Sequence, residues 1–307
     1  MEDFENSLIM GTLYKLSGAG NDFIVLDGRS GGVDEYRKEV TIRTLCDRNT
    51  GFKAADGRVG ADGVMILSSS DDGAWDFVME YFNSDGSSGM MCGNGGRCIV
   101  AFADFLGIVP ANGKFYEFLA ADGPHTGEIL ARKGRTCTVK LKMKDVSEYR
   151  RCTDGWFLDT GTRHCVKFVE DVEAVDIATE GPRYRWSEEF APIGANVNFV
   201  QVLPDGSLKV RTFEKGVEDE TLACGTGITA SALAAQLEAW HKDADCGIDS
   251  GTGKDAGTGN PARTETTAKS IHIAVHARID ELAVDFTPSG SIFTDVFLTG
   301  PAALISD

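Results

Sequence analysis

What this sequence lacks narrows its chemistry before any motif is considered. It contains no run of about 18 apolar residues, so it offers no candidate for a membrane-spanning helix. Basic residues are scarce: 30 Lys and Arg stand against 47 Asp and Glu, a formal net charge of −17. Nucleic acid and anionic lipid surfaces select basic patches, so neither is an expected partner, and the acidity serves solubility. Eight cysteines are present, at 46, 92, 98, 137, 152, 165, 224 and 246, yet no two form a Cys-x-x-Cys pair. That excludes a zinc ribbon and a thioredoxin-type motif, and in a reducing compartment it leaves most of them as small buried hydrophobes. The first residues, Met-Glu-Asp-Phe-Glu-Asn-Ser, are acidic and lack the apolar segment of a secretory signal, so a cytoplasmic protein is expected. From 241 to 270 the chain is polar and rich in Gly and Asp, but its Asp-x-Asp elements lack the EF-hand pattern and its closing Glu. This segment is expected to be an exposed, mobile loop that binds no metal.

Glycine, by contrast, is abundant, with 36 in 307 residues, which suits strands, turns and loops that approach a ligand closely. Two stretches stand out: Met-Met-Cys-Gly-Asn-Gly-Gly-Arg-Cys at 90–98 and Leu-Ala-Cys-Gly-Thr-Gly-Ile at 222–228. Each sets one cysteine, Cys92 or Cys224, before Gly-x-Gly and a run of small and apolar residues with helical periodicity. A thiol there sits among the N–H groups of a helix start and at the positive end of the macrodipole, a setting that lowers a thiol's pKa. Cys98 falls inside the first helix and is expected in the core.

The length allows two domains of about 100–150 residues each. Strands are expected at 11–28 around a tight Ser-Gly-Ala-Gly-Asn-Asp turn, then a helix over 34–48, a strand from Gly63 and another over 75–83. The helix after Cys92 is followed by strands near 115–120, 128–132 and 136–143. The second half repeats the plan: strands near 156–160 and 164–169, a helix or loop around 171–180, strands from Ala195 and Leu208, and the helix after Cys224. Strands at 271–276, 280–286 and 292–298 close the chain. The two cysteines lie 132 positions apart, which reads as an internal duplication. Two β/α lobes facing each other would bring both thiols to one cleft. Removing an α-proton from an amino acid and returning one to the opposite face takes two acid/bases, and a thiolate–thiol pair supplies them. Two helix starts can then receive the substrate carboxylate.

The chain resembles the diaminopimelate epimerases over almost its full length. The resemblance is carried by Gly18-Ala-Gly-Asn-Asp-Phe, Gly60-Ala-Asp-Gly, Tyr81-Phe-Asn-Ser-Asp-Gly-Ser, Met91-Cys-Gly-Asn-Gly-Gly-Arg-Cys, Gly194-Ala-Asn-Val-Asn-Phe-Val and Glu214-Lys-Gly-Val-Glu-Asp-Glu-Thr-Leu-Ala-Cys-Gly-Thr-Gly. It implies an α+β fold of two pseudo-symmetric lobes, each a sheet wrapped around a central helix, with the active site in the cleft between them. The N-terminal lobe would be 1–141, completed by a last strand at 294–307, and the C-terminal lobe 142–293. The implied activity is interconversion of LL- and meso-diaminopimelate without pyridoxal phosphate or any other cofactor, on the route to lysine and peptidoglycan. The partner is then a small amino acid, and a homodimer is the assembly that goes with this reading.

Carried over by position, Cys92 and Cys224 are the acid/bases, and Glu214 and His164 the ionisable pair that adjusts their proton state. Asn21, Asn83 and Asn196 match substrate-binding positions. Gly93, Asn94, Gly225 and Thr226 match the carboxylate cradles, and Gly63 is a further candidate. This chain departs from the family pattern at three places. Gly161-Thr-Arg-His stands where Gly-Asn-Pro-His is usual, making Thr162 and Arg163 candidate substrate contacts. Lys215 replaces a common Arg, and the loop from Glu214 is one residue longer. The loss of Arg at 215 and gain at 163 suggests that Arg163 takes over part of the carboxylate-gripping role. Rival readings are a proline or hydroxyproline racemase of the same architecture, which typically reads Cys-Gly-His-Gly where this chain has Asn94, an epimerase acting on a different amino acid, and a non-catalytic two-lobed binding protein. A disulfide between Cys92 and Cys224 would be inactivation more than purpose.

Overall fold

The computed structural model describes residues 12–246 and 269–306, so most of the expected 241–270 loop lies outside the described residues. Its first six positions belong to a helix that runs on to Cys246, and a strand starts at Ile271. By contact the chain divides into two units, Met1–Leu141 with Gly300–Asp307, and Lys142–Thr299. Among the described residues no helix is long and apolar enough to cross a membrane.

The first unit holds β1 (Leu13–Gly18), β2 (Asn21–Asp27), α1 (Glu39–Cys46), β3 (Gly63–Ser68), β4 (Phe77–Asn83), α2 (Gly93–Phe105), β5 (Tyr116–Ala120), β6 (Gly123–Lys133) and β7 (Thr136–Lys142). The second holds β8 (Tyr149–Cys152), β9 (Gly155–Asp159), β10 (Arg163–Phe168), α3 (Ile177–Arg185), β11 (Asn196–Val202), β12 (Leu208–Glu214), the short β13 (Asp219–Thr221), α4 (Gly225–Cys246), β14 (Ile271–His276), β15 (Glu281–Ser289) and β16 (Ile292–Ser306). The helix expected over 34–48 is two pieces, because Lys38 is extended (ψ 131°) between a 3-10 turn at Asp34–Arg37 and α1. The strands β8 and β13 add to those expected.

Both units are built by one scheme. In the first, β2 and β3 are parallel, as are β4 and β5, and the remaining neighbours are antiparallel. Each parallel step needs a crossover, supplied here by α1 and α2. In the second, β10 and β11 are parallel across α3, and β12 and β14 are parallel across α4. Strand for strand, β1 to β7 therefore answer to β9, β10, β11, β12, β14, β15 and β16. The last strand serves twice: up to Thr299 it pairs with β15, and Gly300–Ala303 pairs with β7 while its final residues pair with β1. That pairing closes the first unit's strands into a ring.

The apolar pattern follows from this layering. Strands β2 and β3 are near-continuous hydrophobic runs because both of their faces are covered. One face, with Ile24, Leu26, Val64 and Ile66, packs on Ile42 and Cys46 of α1. Towards the other, Met65 lies against Gly95 at the start of α2. Helix α2 is buried at every position from Gly93 to Ala103, which explains its lack of a polar face. In α4 the buried Thr229 and Ser231 hydroxyls donate to carbonyls one turn back, at 3.0 and 2.7 Å, so polar side chains are accommodated in an enclosed helix. In β11, Val197 and Phe199 face Ile177 of α3, which turns Asn196 and Asn198 to the opposite face.

Phe102 of α2 is fully buried with the Tyr14 ring at 5.0 Å. Phe102→Ala is expected to destabilise the protein by about 3–5 kcal/mol, read as a lower urea midpoint.

Candidate active site

The duplication brings candidate residues to matching strand ends. In the first unit, Asn21 opens β2, Gly63 opens β3 and Asn83 ends β4, with Gly63 paired to Asn83. In the second, Arg163 opens β10, Asn196 opens β11 and Glu214 ends β12, with His164 paired to Asn196. A cysteine starts the following helix in each case. The Cys92 carbonyl accepts the first helical bond from Gly96 N–H at 2.7 Å, and that of Cys224 accepts from Ile228 N–H at 2.8 Å. The Cys92 thiol also accepts from Gly95 N–H at 3.2 Å. A glycine stands three residues after each thiol, and the space there is tighter in the second unit. A Cβ at Gly227 would stand 2.3 Å from Asn198 Oδ1, and one at Gly95 would crowd the Cys92 sulfur at 3.3 Å.

Beside Cys92, hydrogen-bond polarity is set from both ends. The Asp62 carboxylate only accepts, so Asn21 presents Nδ2 to it at 2.9 Å. Asn21 Oδ1 then accepts from Asn94 Nδ2 at 2.7 Å. Asn94 Oδ1 accepts from Arg97 Nη2 at 2.9 Å, and a guanidinium only donates. Arg97 is fully buried and also donates to Gly93 O and Pro301 O. Behind Asp62, Arg48 bridges Asp62 and Asp22, and buried Lys15 pairs with Asp22 at 2.7 Å. Burial works against ionised Asp22, but the hydrogen bonds and charges of Arg48 and Lys15 prevail and hold its carboxyl below its ordinary range. Asn83 sits apart from this chain, its Nδ2 donating to Ser87 Oγ at 3.0 Å. The Tyr81 ring lies where a side chain at Gly63 would point.

Beside Cys224 the hydrogen-bonded chain from Asn198 runs through neutral amide, imidazole and hydroxyl groups. Asn198 Nδ2 donates to Cys165 O at 3.4 Å and to His164 Nδ1 at 3.0 Å, while its Oδ1 accepts from Thr212 Oγ1. An accepting Nδ1 puts the imidazole hydrogen on Nε2, which lies 2.9 Å from Thr162 Oγ1. Thr162 Oγ1 is 3.0 Å from Thr226 Oγ1, itself 3.4 Å from Cys224 Sγ. Asn196 donates to Arg163 O and Thr162 Oγ1 and accepts from Lys215 N–H at 2.8 Å. Glu214 receives the Thr221 hydroxyl at 2.8 Å.

Three of the expected site residues sit as follows. Burial pushes the pKa of His164 down to about 3 against a weaker upward pull from Asp159, and both of its ring nitrogens are engaged. Arg163 does not join the group around Cys224. As the neighbour of His164 it points to the other face of β10, with its guanidinium 5.2 Å from the Phe157 ring centre and 3.5 Å from Phe190 O. Lys215 contributes its backbone N–H, and its side chain is exposed. The extra residue after Glu214 is absorbed in a turn where Gly216 and Glu218 have positive φ, with the Glu218 carboxylate bonded to Gly216 N–H and to buried Arg185. Asp62, Arg97 and Asn198 went unnoticed in the sequence. The alternation Asn196-Val-Asn198 was the available signal for Asn198, since it sets both amides on one strand face. An arginine in an apolar helix was the signal for Arg97.

Of the other cysteines, Cys46, Cys98, Cys137 and Cys165 are buried and Cys152 is half-buried. Burial pushes the Cys98 thiol up to about 12, as befits an inert core side chain.

The model of the family described as diaminopimelate epimerase matches residues 13–120 and 156–288. A diaminopimelate epimerase from Flavobacterium psychrophilum is 37% identical over 295 residues, 95% of this chain and 97% of that protein. Among solved structures, a PhzF-family phenazine biosynthesis protein from Bacillus anthracis is similar at TM-score 0.61 and 11% identity, covering 96% of each chain. A hydroxyproline epimerase from Agrobacterium vitis, with trans-4-hydroxy-L-proline bound, is similar at TM-score 0.59 and 15% identity, covering 96% of this chain and 88% of that one. At such identities these structures share the fold.

Neutral burial of His164 has a consequence for acid stability. Its folded pKa of about 3 lies below the ordinary 6.5, so unfolding takes up a proton between those values. The stabilisation is complete above pH 6.5 and is lost as pH falls towards 3, at up to about 1.4 kcal/mol per pH unit. His164→Gln is expected to flatten that part of the stability profile, measured by urea unfolding at successive pH values.

Proposed function

The chain belongs to the diaminopimelate epimerase family, and we infer from that membership that it is an isomerase interconverting LL- and meso-diaminopimelate. One observation carries the assignment of roles: the same thiol-at-helix-start device recurs at matching strand ends in both halves of the duplication. Cys92 and Cys224 are the two acid/bases. One begins as thiolate and takes the α-proton, the other begins as thiol and delivers its proton to the opposite face, and each turnover exchanges their states. The substrate carboxylate is received by first-turn N–H groups of α2 and α4, at Gly93, Asn94, Gly225 and Thr226, where a helix makes no internal bond to them and its dipole favours an anion. The ammonium calls for acceptors, a role that suits the Glu214 carboxylate with the Asn21 and Asn83 amides. Asn196 uses its amide hydrogens on Arg163 O and Thr162 Oγ1, so it positions the site more than it grips substrate. We assign the enzyme to the cytoplasm, where reducing conditions keep both thiols free to act, with a homodimer as the assembly to be checked by sedimentation.

The racemase alternative shares this fold, but Asn94 occupies the position where those enzymes typically carry His. Incubation in D₂O with LL-diaminopimelate, proline or hydroxyproline separates the readings. Exchange of the α-proton is expected with LL-diaminopimelate alone, and Cys92→Ser or Cys224→Ser should slow turnover by about 10²–10⁴-fold. Exchange with proline but not LL-diaminopimelate, or full turnover in both serine variants, defeats the assignment. Because Arg163 faces away from the Cys224 group, Arg163→Ala is expected to leave KM for LL-diaminopimelate unchanged. A clear rise in KM would restore Arg163 as a substrate contact.

A further inference from the structure

We propose that Thr162 is a positioning residue whose hydroxyl, through that of Thr226, aims an O–H donor at the Cys224 sulfur and so favours the thiolate there. The inference rests on Cys224 being one of the two acid/bases. It comes from counting hydrogens along the chain from Asn198 to Cys224. The Cys165 carbonyl can only accept, so Asn198 turns Nδ2 towards it and towards His164 Nδ1. His164 must then carry its hydrogen on Nε2 and donate it to Thr162 Oγ1. Asn196 fixes the same hydroxyl independently. Its Oδ1 faces the donor Lys215 N–H and its Nδ2 faces the acceptor Arg163 O, so the Nδ2 contact to Thr162 Oγ1 is also a donation. With both acceptor directions of Thr162 Oγ1 filled, its own hydrogen goes to Thr226 Oγ1 at 3.0 Å. Thr226 in turn directs its hydrogen to Cys224 Sγ at 3.4 Å.

Every link is polarised the same way, and donors aligned in series reinforce one another. The donor end meets sulfur, and a hydrogen bond to the charged form of a group favours that form. Burial favours the neutral ring of His164, in keeping with its place as a donor in this chain. The ionisable groups on the surrounding elements do not interrupt the chain. Asp159 at the end of β9 accepts from Gly161 N–H, Glu214 at the end of β12 accepts from Thr221, and Lys167 of β10 lies over the Tyr184 ring. The inward residues of β11 are the amides Asn196 and Asn198, and α4 carries no charged side chain before Glu238. A hydroxyl at 162 can accept two hydrogens and pass on one through a single atom.

Alkylation by iodoacetamide with peptide mapping reads the Cys224 thiolate without substrate. In Thr162→Val the midpoint of the pH–rate profile for Cys224 should rise by about one unit, about tenfold slower reaction below the midpoint. Thr162→Ser should restore the wild-type profile, and the Cys92 profile should be the same in all three proteins. A Cys224 profile in Thr162→Val that matches wild type, or a serine variant as slow as the valine variant, overturns the relay. Histidine ¹⁵N–¹H correlation spectra of the unaltered protein give a test that needs no variant. His164 is expected as the Nε2–H tautomer, and an Nδ1–H tautomer reverses the polarity and overturns the proposal. Neither measurement uses diaminopimelate, so failure of the relay and failure of the epimerase reading are told apart by the α-proton exchange.

Discussion

A helix enclosed by strands has little access to water at its start, and both units are organised around that constraint. The first-turn N–H groups of any helix need partners from outside it, and an enclosed helix must find them in protein or ligand. A serine or aspartate is the usual answer at the first position. Here the position is held by cysteine, a weak acceptor, and the surrounding order is supplied by side chains of fixed polarity on the adjoining strand ends. Asn21 and Asn94 do this in one unit, and Asn196, Asn198 and His164 do it in the other. Their orientation follows from what each end of the chain can donate or accept, so a flip of one amide would break several bonds together.

The same scaffold is rooted differently in its two halves. Beside Cys92 the amides run between full charges, Asp62 at one end and Arg97 at the other, with Arg48, Asp22 and Lys15 behind them. Buried ions are expensive to desolvate and rigid once paired, so that half relies on compensation among neighbours. Beside Cys224 the roots are backbone carbonyls and N–H groups, and the intermediates are a neutral imidazole and hydroxyls. Polarity is passed along that chain by neutral groups. In a protein of net charge −17, local dipoles of this kind create a donor-rich environment that overall composition would not suggest.

Much of this was legible in the chain. The repeated Cys-Gly-x-Gly ahead of an apolar run signals two enclosed helix starts, and alternating apolar stretches mark the strands that lead to them. What stayed hidden depends on which strand lies beside which. Asp62 matters because β2 and β3 are parallel neighbours, and Asn198 because β10 and β11 are. Neither pairing can be read from local periodicity. The exchange of Arg at 215 for Arg at 163 carries no direction: adjacent residues in a strand face opposite ways, so Arg163 and His164 lie on opposite faces of β10. His164 takes its expected role from its position in the resemblance, whereas its burial and its two engaged ring nitrogens follow from strand pairing that local sequence does not display.

The final strand ties the beginning of the chain to its end. Strands β1 and β7 both pair with residues after Thr299, so the ring of the first unit has a missing stave until that segment, which follows the whole second unit, has been made. Throughout synthesis of the second half, the nascent first unit presents two open strand edges, which are templates for wrong partners. Its maturation therefore waits on a segment beyond the second unit, and a premature stop that spares all of α2 and Cys92 would still leave the first unit unclosed.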